Sequence, residues 1–436
     1  MAANLLRETI EERSRGVATG VYSACTANPL AIEACMRRSA AADHFVVIEA
    51  TANQVNQYGG YTGMQAHDYS ALVYAIGERC GLARDRIVLG GDHLGPLPWS
   101  QQTESEAMAQ AAKLVHSYVV AGFSKIHIDT SMRLGSDDPE RPLSTHIVAR
   151  RAAELARVAL DAYGTLQGRE SDVQFPVFVL GSEVPIPGGS QDHEEALLIT
   201  ESRDFHKSVE EFRAEFARQG LEQVWQNVVA FVVQPGVEFG DETVDRYDRQ
   251  AAGDLTGSLA EYEGMVFEGH STDYQHREHL REMVEDGIAI LKVGPALTFA
   301  LREALFALEN IERELLGSQS PRLSCFSETL DSEMVEDPVF WKSHYRGEQA
   351  ALRLKRRFSY SDRCRYYLPR EAVVAAEKKL FDNLAASPVP VPLLSQYLPL
   401  QYRRVISGTL ALDPRELVID HVGDCVDDYL YAIGKV

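Results

Sequence analysis

Eight short apolar runs recur along the chain, and each stops at a group of polar residues. They occupy residues 20–25, 45–50, 86–89, 125–131, 176–180, 228–235, 265–270 and 288–294. Helical spacing follows these runs, as in residues 29–41, 103–121 and 297–316. Near-continuous apolar runs are typical of parallel strands buried on both faces. The pattern predicts an α/β fold, a closed (β/α)8 TIM barrel, whose chemistry lies at the carboxyl ends of its strands.

The third run leads into the most unusual stretch of the chain, residues 89–96. Its apolar positions end at Leu89, and Gly90 and Gly91 follow directly. Two adjacent glycines indicate a tight turn, because glycine adopts backbone conformations that other residues avoid. We therefore expect the strand to end at Leu89 and the turn to present Asp92 and His93 side by side.

After about residue 319 the alternation of strands and helices stops. Acidic and aromatic segments, residues 360–369 and 390–399, separate stretches with helical spacing. This change predicts a barrel in residues 1–318 and a C-terminal helical extension, packed on the barrel, in residues 319–436. Residues 353–357 form a basic cluster with Arg363 and Arg365, for which a salt-bridged surface is the simpler interpretation. The alternative, that Arg363 and Arg365 extend toward a phosphate group, stays open.

Composition narrows the class of protein. The chain has 436 residues, of which 45% are hydrophobic, and a net charge of −21. This charge disfavours nucleic acid and anionic membranes as partners. No apolar run approaches the roughly 20 residues of a membrane-spanning helix, and residues 4–15 predict a polar amphipathic helix rather than a signal peptide. The six cysteines form no C-x-x-C pair, which indicates reduced thiols in the cytoplasm and no zinc ribbon.

Polar residues gather where the barrel prediction places strand ends. They are Glu49, Asp92, His93, Asp129, Glu183, Gln234, Glu268, His270, Asp273 and Lys292. Buried carboxylates are costly unless they are paired or bind a metal, so their convergence predicts a cation. Imidazole with carboxylate suits zinc, manganese, cobalt or iron, whereas an all-oxygen set favours magnesium or calcium. We predict His93 and His270 as ligands of a divalent metal, with Glu183 and Glu268 completing the set.

A purely structural role is the alternative for each of these residues. A single histidine at a strand end commonly makes a structural hydrogen bond, and we favour that interpretation for His127 but not for His93 or His270. Lys292 could form a Schiff base, pair with a carboxylate or hold a phosphate group, and these alternatives stay open.

Phosphate binding is the second prediction. Barrels often bind phosphate with the loops after strands seven and eight, here residues 269–272 and 294–298, where glycine lets the backbone approach an anion. Tight turns are the alternative for these glycines. The long polar loop at residues 53–63 is expected to cover or line the site. The predicted substrate-binding residues are Glu49, Asn53, Gln54, Asp129, Gln234, Gly269, Ser271, Lys292 and Gly294.

Several long motifs resemble one known family. Residues 49–63, 90–96, 122–129, 232–239, 268–275, 291–302 and 395–399 are similar to the tagatose-bisphosphate aldolase Z-subunit family (GatZ/KbaZ-like). Its members are often labelled tagatose 6-phosphate kinase, and it is related to the class II, metal-dependent aldolases. The resemblance implies a barrel fold and either C4 epimerisation of a ketose phosphate or a non-catalytic role beside an aldolase subunit.

The resemblance also implies roles for individual residues. In class II aldolases the Asp-His pair after strand three supplies a catalytic acid or base and a metal ligand, which corresponds to Asp92 and His93. The aldolase histidine of strand seven falls nearest Glu268, and strand five has Glu183 where histidine is common. The metal set therefore departs from that of an ordinary aldolase.

The chemistry of C4 epimerisation favours a retro-aldol route. The chain has no G-x-x-x-x-G-K-[ST] loop and no dinucleotide fingerprint, so we expect neither ATP nor NAD, and a kinase is disfavoured. We predict Asp92, Glu183 and Asp273 as catalytic residues that act with a divalent metal, zinc before manganese, cobalt or magnesium. The expected partner is a sugar-phosphate substrate. The alternative is an accessory subunit of a class II aldolase, and homo-oligomers stay open.

Overall fold

In the computed structural model, which describes residues 4–168, 173–182 and 197–435, eight parallel strands close into a barrel. They are β1 (Val21–Cys25), β2 (Val46–Thr51), β3 (Ile87–Leu94), β4 (Lys125–Ile128), β5 (Val177–Leu180), β6 (Val228–Val233), β7 (Val266–Gly269) and β8 (Ile288–Val293). Each strand pairs with its neighbours in chain order, and β8 pairs with β1. The predicted (β/α)8 barrel is confirmed.

Helices connect the strands and surround the barrel. They are α1 (Leu5–Ser14), α2 (Pro29–Ala41), α3 (Ala66–Arg79), α4 (Glu104–Val120), α5 (Thr145–Gln167), α6 (Ser202–Arg218), α7 (Glu222–Trp225), α8 (Gly253–Ser258), α9 (Arg277–Glu285) and α10 (Pro295–Leu316). Local sequence explains several of their starts. Asn28 caps α2, with Pro29 at its first position, and Thr103 forms a capping box with Glu106 before α4. Both arrangements satisfy amides at a helix start.

The third strand differs from its prediction. We expected it to end at Leu89 in a glycine turn, but β3 continues to Leu94, with an irregular register between Gly91 and Leu94. A side chain at Gly90 would lie 2.5 Å from the carboxylate of Glu49, and one at Gly91 would lie 2.5 Å from Leu94. The two glycines are thus needed for close packing inside a strand, and the predicted turn is wrong.

The amino ends of the strands are closed by apolar packing. Leu6 and Ile10 of α1 join a buried cluster with strand residues that include Val47, Val179 and Val229. The side-chain amide of Asn4, which caps α1, donates to the carbonyl of Ser124 at 3.2 Å. Because this end is filled by apolar groups, polar chemistry is left to the opposite, carboxyl end of the strands.

Within the described residues after α10, six further α-helices follow the barrel. They are α11 (Phe326–Glu336), α12 (Gln349–Phe358), α13 (Glu371–Ala386), α14 (Val391–Tyr397), α15 (Pro399–Ile406) and α16 (Pro414–Ala432). The last helix packs on α10, α2 and α9. Its Tyr429 donates a hydrogen bond to the carbonyl of Thr272, just beyond β7, at 3.0 Å. The predicted C-terminal helices are present, and the division into domains at residues 318 and 319 stays a prediction.

Membrane-spanning helices and disulfides are the two remaining features on which the sequence made a prediction. None of the described helices combines the length and apolar character that crossing a membrane requires. All six cysteines are free thiols. A cytoplasmic location stays a prediction.

Candidate active site and metal centre

Four polar side chains converge at the carboxyl ends of neighbouring strands. Asp92 and His93 lie on β3, His127 lies on β4, and His270 directly follows β7. One possible ligand atom from each lies within 4.8 Å of the other three, and all four residues are buried. We call these four residues the histidine cluster. His93 has a positive φ of 48°, an uncommon conformation that is often found at functional sites.

A carboxylate contacts one nitrogen of each imidazole ring in the cluster. Nδ1 of His93 lies 2.9 Å from Asp129, Nδ1 of His127 lies 2.9 Å from Asp92, and Nε2 of His270 lies 2.9 Å from Glu268. Such contacts orient metal-binding histidines and select which nitrogen faces the metal.

An unpartnered nitrogen and the types of side chain in the cluster also fit a bound cation. Nε2 of His127 is buried and has no hydrogen-bond partner among the described residues. A buried polar atom without a partner costs free energy unless a ligand satisfies it. Three imidazoles and one carboxylate match the ligands of a divalent metal such as zinc. The cluster is therefore compatible with a divalent metal.

Burial and neighbouring charges shift the pKa values of the cluster residues in different directions. Burial disfavours the ionised form of Asp92, but His93, His127 and His270 outweigh it and hold the pKa of this carboxyl well below its usual range. Burial likewise opposes the charged form of His93, but Asp92 and Asp129 raise the pKa of its imidazole to about 9. The pKa of His270, in contrast, is lowered by burial.

A layer of ion pairs lies against the histidine cluster. Nζ of Lys125 lies 2.6 Å from Glu49 and 2.6 Å from Glu268, and all three side chains are fully buried. Lys292 contacts Glu49 as well, and its Nζ lies 2.9 Å from Asp92. We call Glu49, Lys125, Glu268 and Lys292 the ion-pair layer. The lysines and glutamates here pair opposite charges, and burial lowers the pKa of Lys292 to about 7.

A cavity opens above the cluster. Many predicted residues line it: Asn53, Gln54, Asp92, His93, His270, Ser271, Asp273, Lys292 and Gly294. Cys25 and Tyr61 also line it, as do Arg365 and Tyr366 from the C-terminal extension. The extension therefore contributes directly to the site.

A model of the D-tagatose-1,6-bisphosphate aldolase subunit GatZ/KbaZ-like family matches residues 6–434. The chain belongs to this family. The match includes both the barrel and the C-terminal helices, and its description relates the chain to a D-tagatose-1,6-bisphosphate aldolase subunit.

One solved structure supports this assignment, and two others are only distantly similar. A protein described as a "probable tagatose 6 phosphate kinase" from Sinorhizobium meliloti 1021 is 43% identical, with a TM-score of 0.85 over 95% of this chain and 100% of that chain. The YdjI aldolase from Escherichia coli K12 is 11% identical, with a TM-score of 0.43 over 89% of this chain and 98% of that one. Fructose-bisphosphate aldolase from Campylobacter jejuni is 12% identical, with a TM-score of 0.42 over 87% and 92%. Similarities as distant as the last two carry no functional information.

The other predicted residues within the described part of the chain do not line the cavity. Glu49 and Glu268 belong to the ion-pair layer, and Asp129 contacts His93 and Ser131. The side-chain oxygen of Gln234 accepts bonds from the amides of Gly236 and Val237. Gly269 faces Ile288 and Met283, where a side chain would collide. Glu183 lies outside the described residues, and its predicted role stays a prediction.

His127 is the cluster member that sequence analysis set aside as structural. Its position on β4 brings its ring centroid within 5.2 Å of both other imidazole rings. Lys125, His127 and Asp129 alternate with apolar Ile126 and Ile128. Because alternate strand residues face the same side, this pattern could have revealed His127 as an inward residue.

Backbone amides that were predicted to bind phosphate donate hydrogen bonds to Asp273 instead. Its carboxylate accepts hydrogen bonds from the amides of Gly294 at 2.9 Å and Ala296 at 2.8 Å, at the start of α10. Burial raises the pKa of Asp273 to about 6, although these amides oppose the shift. The helix start therefore already has an anion from the chain itself.

Proposed function

We propose that this protein is a metal-dependent 4-epimerase of ketose phosphates that interconverts D-tagatose 6-phosphate and D-fructose 6-phosphate. The observation that carries the proposal is the position of Asp92. Its carboxylate lines the cavity and contacts both His127 and Lys292. A carboxylate placed at the edge of a metal-compatible cluster can accept a proton from a substrate hydroxyl next to the cation.

The reaction follows from the structure of a 2-ketose. The hydrogen on C4 is not adjacent to the C2 carbonyl, so direct proton removal does not give a stabilised carbanion. Cleavage of the C3–C4 bond avoids this problem, because its electron pair passes into the C2 carbonyl and forms an enediolate. The C4 hydroxyl loses its proton and becomes an aldehyde on the phosphorylated fragment. Rotation of this aldehyde and re-formation of the bond on its other face invert C4.

Each step needs a group that the cavity offers. Asp92 takes the proton of the C4 hydroxyl and returns it after the bond re-forms. We expect His93, His127 and His270 to hold a divalent cation, with zinc favoured by the imidazoles and manganese, cobalt or magnesium as alternatives. When bound, the cation supplies Lewis-acid stabilisation of negative charge on the substrate oxygens. Glu183 and Glu268 remain predicted as further ligands, and Glu183 and Asp273 as further catalytic residues.

The cover of the cavity supports an epimerase over an aldolase that releases its products. The loop at residues 53–63 carries Tyr61, whose ring centroid lies 4.7 Å from that of Tyr366 and 6.1 Å from that of Phe340. This barrel loop and the C-terminal extension therefore meet at the cavity. An epimerase must retain both fragments until the bond re-forms, and such a cover limits their escape.

The description of the family favours a second candidate function. It names a subunit of D-tagatose-1,6-bisphosphate aldolase, which suggests that this chain assists a separate catalytic subunit. A non-catalytic barrel has no need to keep costly buried polar groups, and this cavity keeps them. We therefore place the accessory role second. The kinase named for the Sinorhizobium meliloti protein is not proposed here, because the sequence lacks a phosphate-binding nucleotide loop.

The test uses the purified, metal-loaded protein with D-tagatose 6-phosphate and without ATP. Carbon-13 NMR should show D-fructose 6-phosphate, and a chelator should stop its formation. Asp92→Asn should lower the rate by about 100-fold or more, the range of general acid–base catalysis. The matched control is Asp85→Asn, which removes an exposed carboxylate before β3 and should leave the rate unchanged.

Other outcomes identify the competing functions. Accumulation of glyceraldehyde 3-phosphate and dihydroxyacetone would show an aldolase. No turnover with zinc, manganese, cobalt or magnesium, together with increased activity of an added D-tagatose-1,6-bisphosphate aldolase, would show an accessory subunit.

A further inference from the structure

The geometry points to Arg365 as the phosphate-binding residue of the site, and to a substrate that carries one phosphate group. This inference rests on the proposed function, since it names the group by which that substrate is held. It assigns a role to the C-terminal extension that the barrel alone does not supply.

The first step is that the helix start predicted to bind phosphate is already occupied. The amides of Gly294 and Ala296 both donate to the carboxylate of Asp273. A phosphate group at this position would have to displace a buried carboxylate and would be repelled by it. The phosphate of a substrate therefore needs another source of positive charge.

The second step is a count of the cations in the cavity. Among the described residues that line it, Lys292 and Arg365 are the only lysine or arginine. Lys292 contacts the carboxylates of Glu49 and Asp92, so its charge is balanced. The segment at residues 183–196, outside the described residues, contains no lysine or arginine.

The third step concerns the partners of Arg365. Its Nη1 donates to the carbonyls of Ser361 at 2.5 Å and Asp362 at 2.9 Å. The carboxylate of Asp362 faces elsewhere, toward the hydroxyl of Thr298 at 2.6 Å and the guanidinium of Arg302 at 3.7 Å. Within the described part of the chain, Arg365 has no carboxylate at ion-pair distance, which leaves its charge available to an anion.

The guanidinium of Arg365 is nevertheless held in place. It lies 4.6 Å from the centroid of the Tyr366 ring, and its Nη2 donates to the Tyr366 hydroxyl at 3.2 Å. The Tyr366 ring in turn packs against Tyr61 of the loop at residues 53–63. Burial opposes ionisation of Tyr366, but Arg365 and Arg363 outweigh it and lower the pKa of this phenol. The local field thus favours an anion, and the fixed guanidinium matches the planar, two-pronged recognition of phosphate.

Of the lysine and arginine side chains in the described lining, Lys292 is paired with carboxylates and Arg365 alone is available to a phosphate group. Asp92 and His270 line the same cavity as Arg365, so a ketose can present its reacting carbons to the histidine cluster and its terminal phosphate to Arg365. A second phosphate at C1 would meet no further lysine or arginine in the described lining. We therefore expect preference for a ketose 6-phosphate over a 1,6-bisphosphate.

Calorimetric binding to the metal-loaded protein tests this directly, with D-tagatose 6-phosphate, D-tagatose and D-tagatose 1,6-bisphosphate as probes. Arg365→Gln should weaken binding of the monophosphate by about 10- to 100-fold, as expected for loss of hydrogen bonds to a charged group. Binding of D-tagatose should be the same in both proteins. The bisphosphate should bind the unmodified protein no more tightly than the monophosphate does.

Two further variants control for charge and folding. Arg353→Gln removes an exposed arginine of the extension and should leave binding unchanged. Arg365→Lys keeps the charge without the planar fork and should give an intermediate loss, which also tests the assignment if the glutamine variant does not fold.

The outcomes separate this inference from the epimerase itself. Equal binding of the monophosphate by Arg365→Gln and the unmodified protein would overturn the phosphate assignment, as would an equal loss for D-tagatose, or no binding of the monophosphate to the unmodified protein. Tight, Arg365-dependent binding without formation of D-fructose 6-phosphate would keep the assignment and remove the epimerase. Tighter binding of the bisphosphate would overturn the preference for one phosphate.

Discussion

The ion-pair layer and the histidine cluster share two strands, β4 and β7, yet they differ in what their polar groups contact. Lys125 and His127 are two residues apart on β4, and Glu268 and His270 are two residues apart at the end of β7. In the ion-pair layer, lysine and glutamate charges offset one another. In the histidine cluster, each ring has one nitrogen against a carboxylate, and Nε2 of His127 has no partner among the described residues.

This difference separates a structural from a functional polar core. Both sets are buried, so burial of charge by itself does not mark a site. A set whose charges are matched internally contributes to the fold, whereas a set with unmatched ligand atoms facing a cavity calls for something from outside. Lys292 joins the two regions, because it contacts both Glu49 and Asp92.

The largest effect should follow from breaking the ion-pair layer. Lys125→Met leaves the fully buried Glu49 and Glu268 with one cation fewer. Removing one partner of a buried ion pair costs about 3–5 kcal/mol of unfolding free energy, which urea denaturation would measure. Lys113→Met, on the exposed side of α4, is the matched control. If both variants are as stable as the unmodified protein, the ion-pair layer is not structural.

A substitution in the histidine cluster should lower metal affinity rather than the stability of the fold. His127→Gln removes one proposed ligand, so affinity for zinc should fall on the order of 100-fold or more, measured by competition with a chelating dye. Stability of the metal-free protein should change little. The control, His116→Gln, replaces an exposed histidine of α4. Unchanged zinc affinity in His127→Gln would return His127 to a structural role.

The pH dependence of metal affinity should report the charge on His93. In the metal-free protein this imidazole stays protonated up to its pKa of about 9, while Asp92 is already ionised and the pKa of His270 lies below its usual value. Metal binds only the neutral ring, so affinity should rise about tenfold per pH unit between about pH 7 and 9 and then level off. Levelling off near pH 6.5 instead would mean that His93 is not held in its charged form.

Asp129→Asn should test the charge on His93 further, and we expect it to have the smallest effect of the four predicted here. Asp129 contacts Nδ1 of His93 at 2.9 Å and does not line the cavity, so we treat it as a positioning residue. Its loss should weaken metal binding by about 10- to 100-fold. It should also move the levelling of the pH profile below 9, because a negative charge that raises the pKa of His93 is gone. A loss of affinity without this movement would indicate only a structural role.

Much of the site followed from strand-end positions. Asp92, His93 and His270 were predicted as one group, and the structure brings them together. Asn53, Gln54, Ser271 and Gly294 were predicted to line the site, and they do line the cavity. The glycines of β3 were misread as a turn, since the chain itself gives no sign that the side chain of Glu49 occupies the space beside Gly90.

The sequence by itself determined the architecture and the family. Apolar runs alternating with helical spacing predict parallel strands covered by helices, and eight such units in sequence favour a closed barrel. The tertiary structure alone decided which polar groups meet. His127 joined the cluster, Lys125 paired Glu49 with Glu268, and Arg365 reached the cavity from far along the chain. Such contacts depend on the inward direction of each strand residue and on distances between remote segments, which local periodicity does not encode.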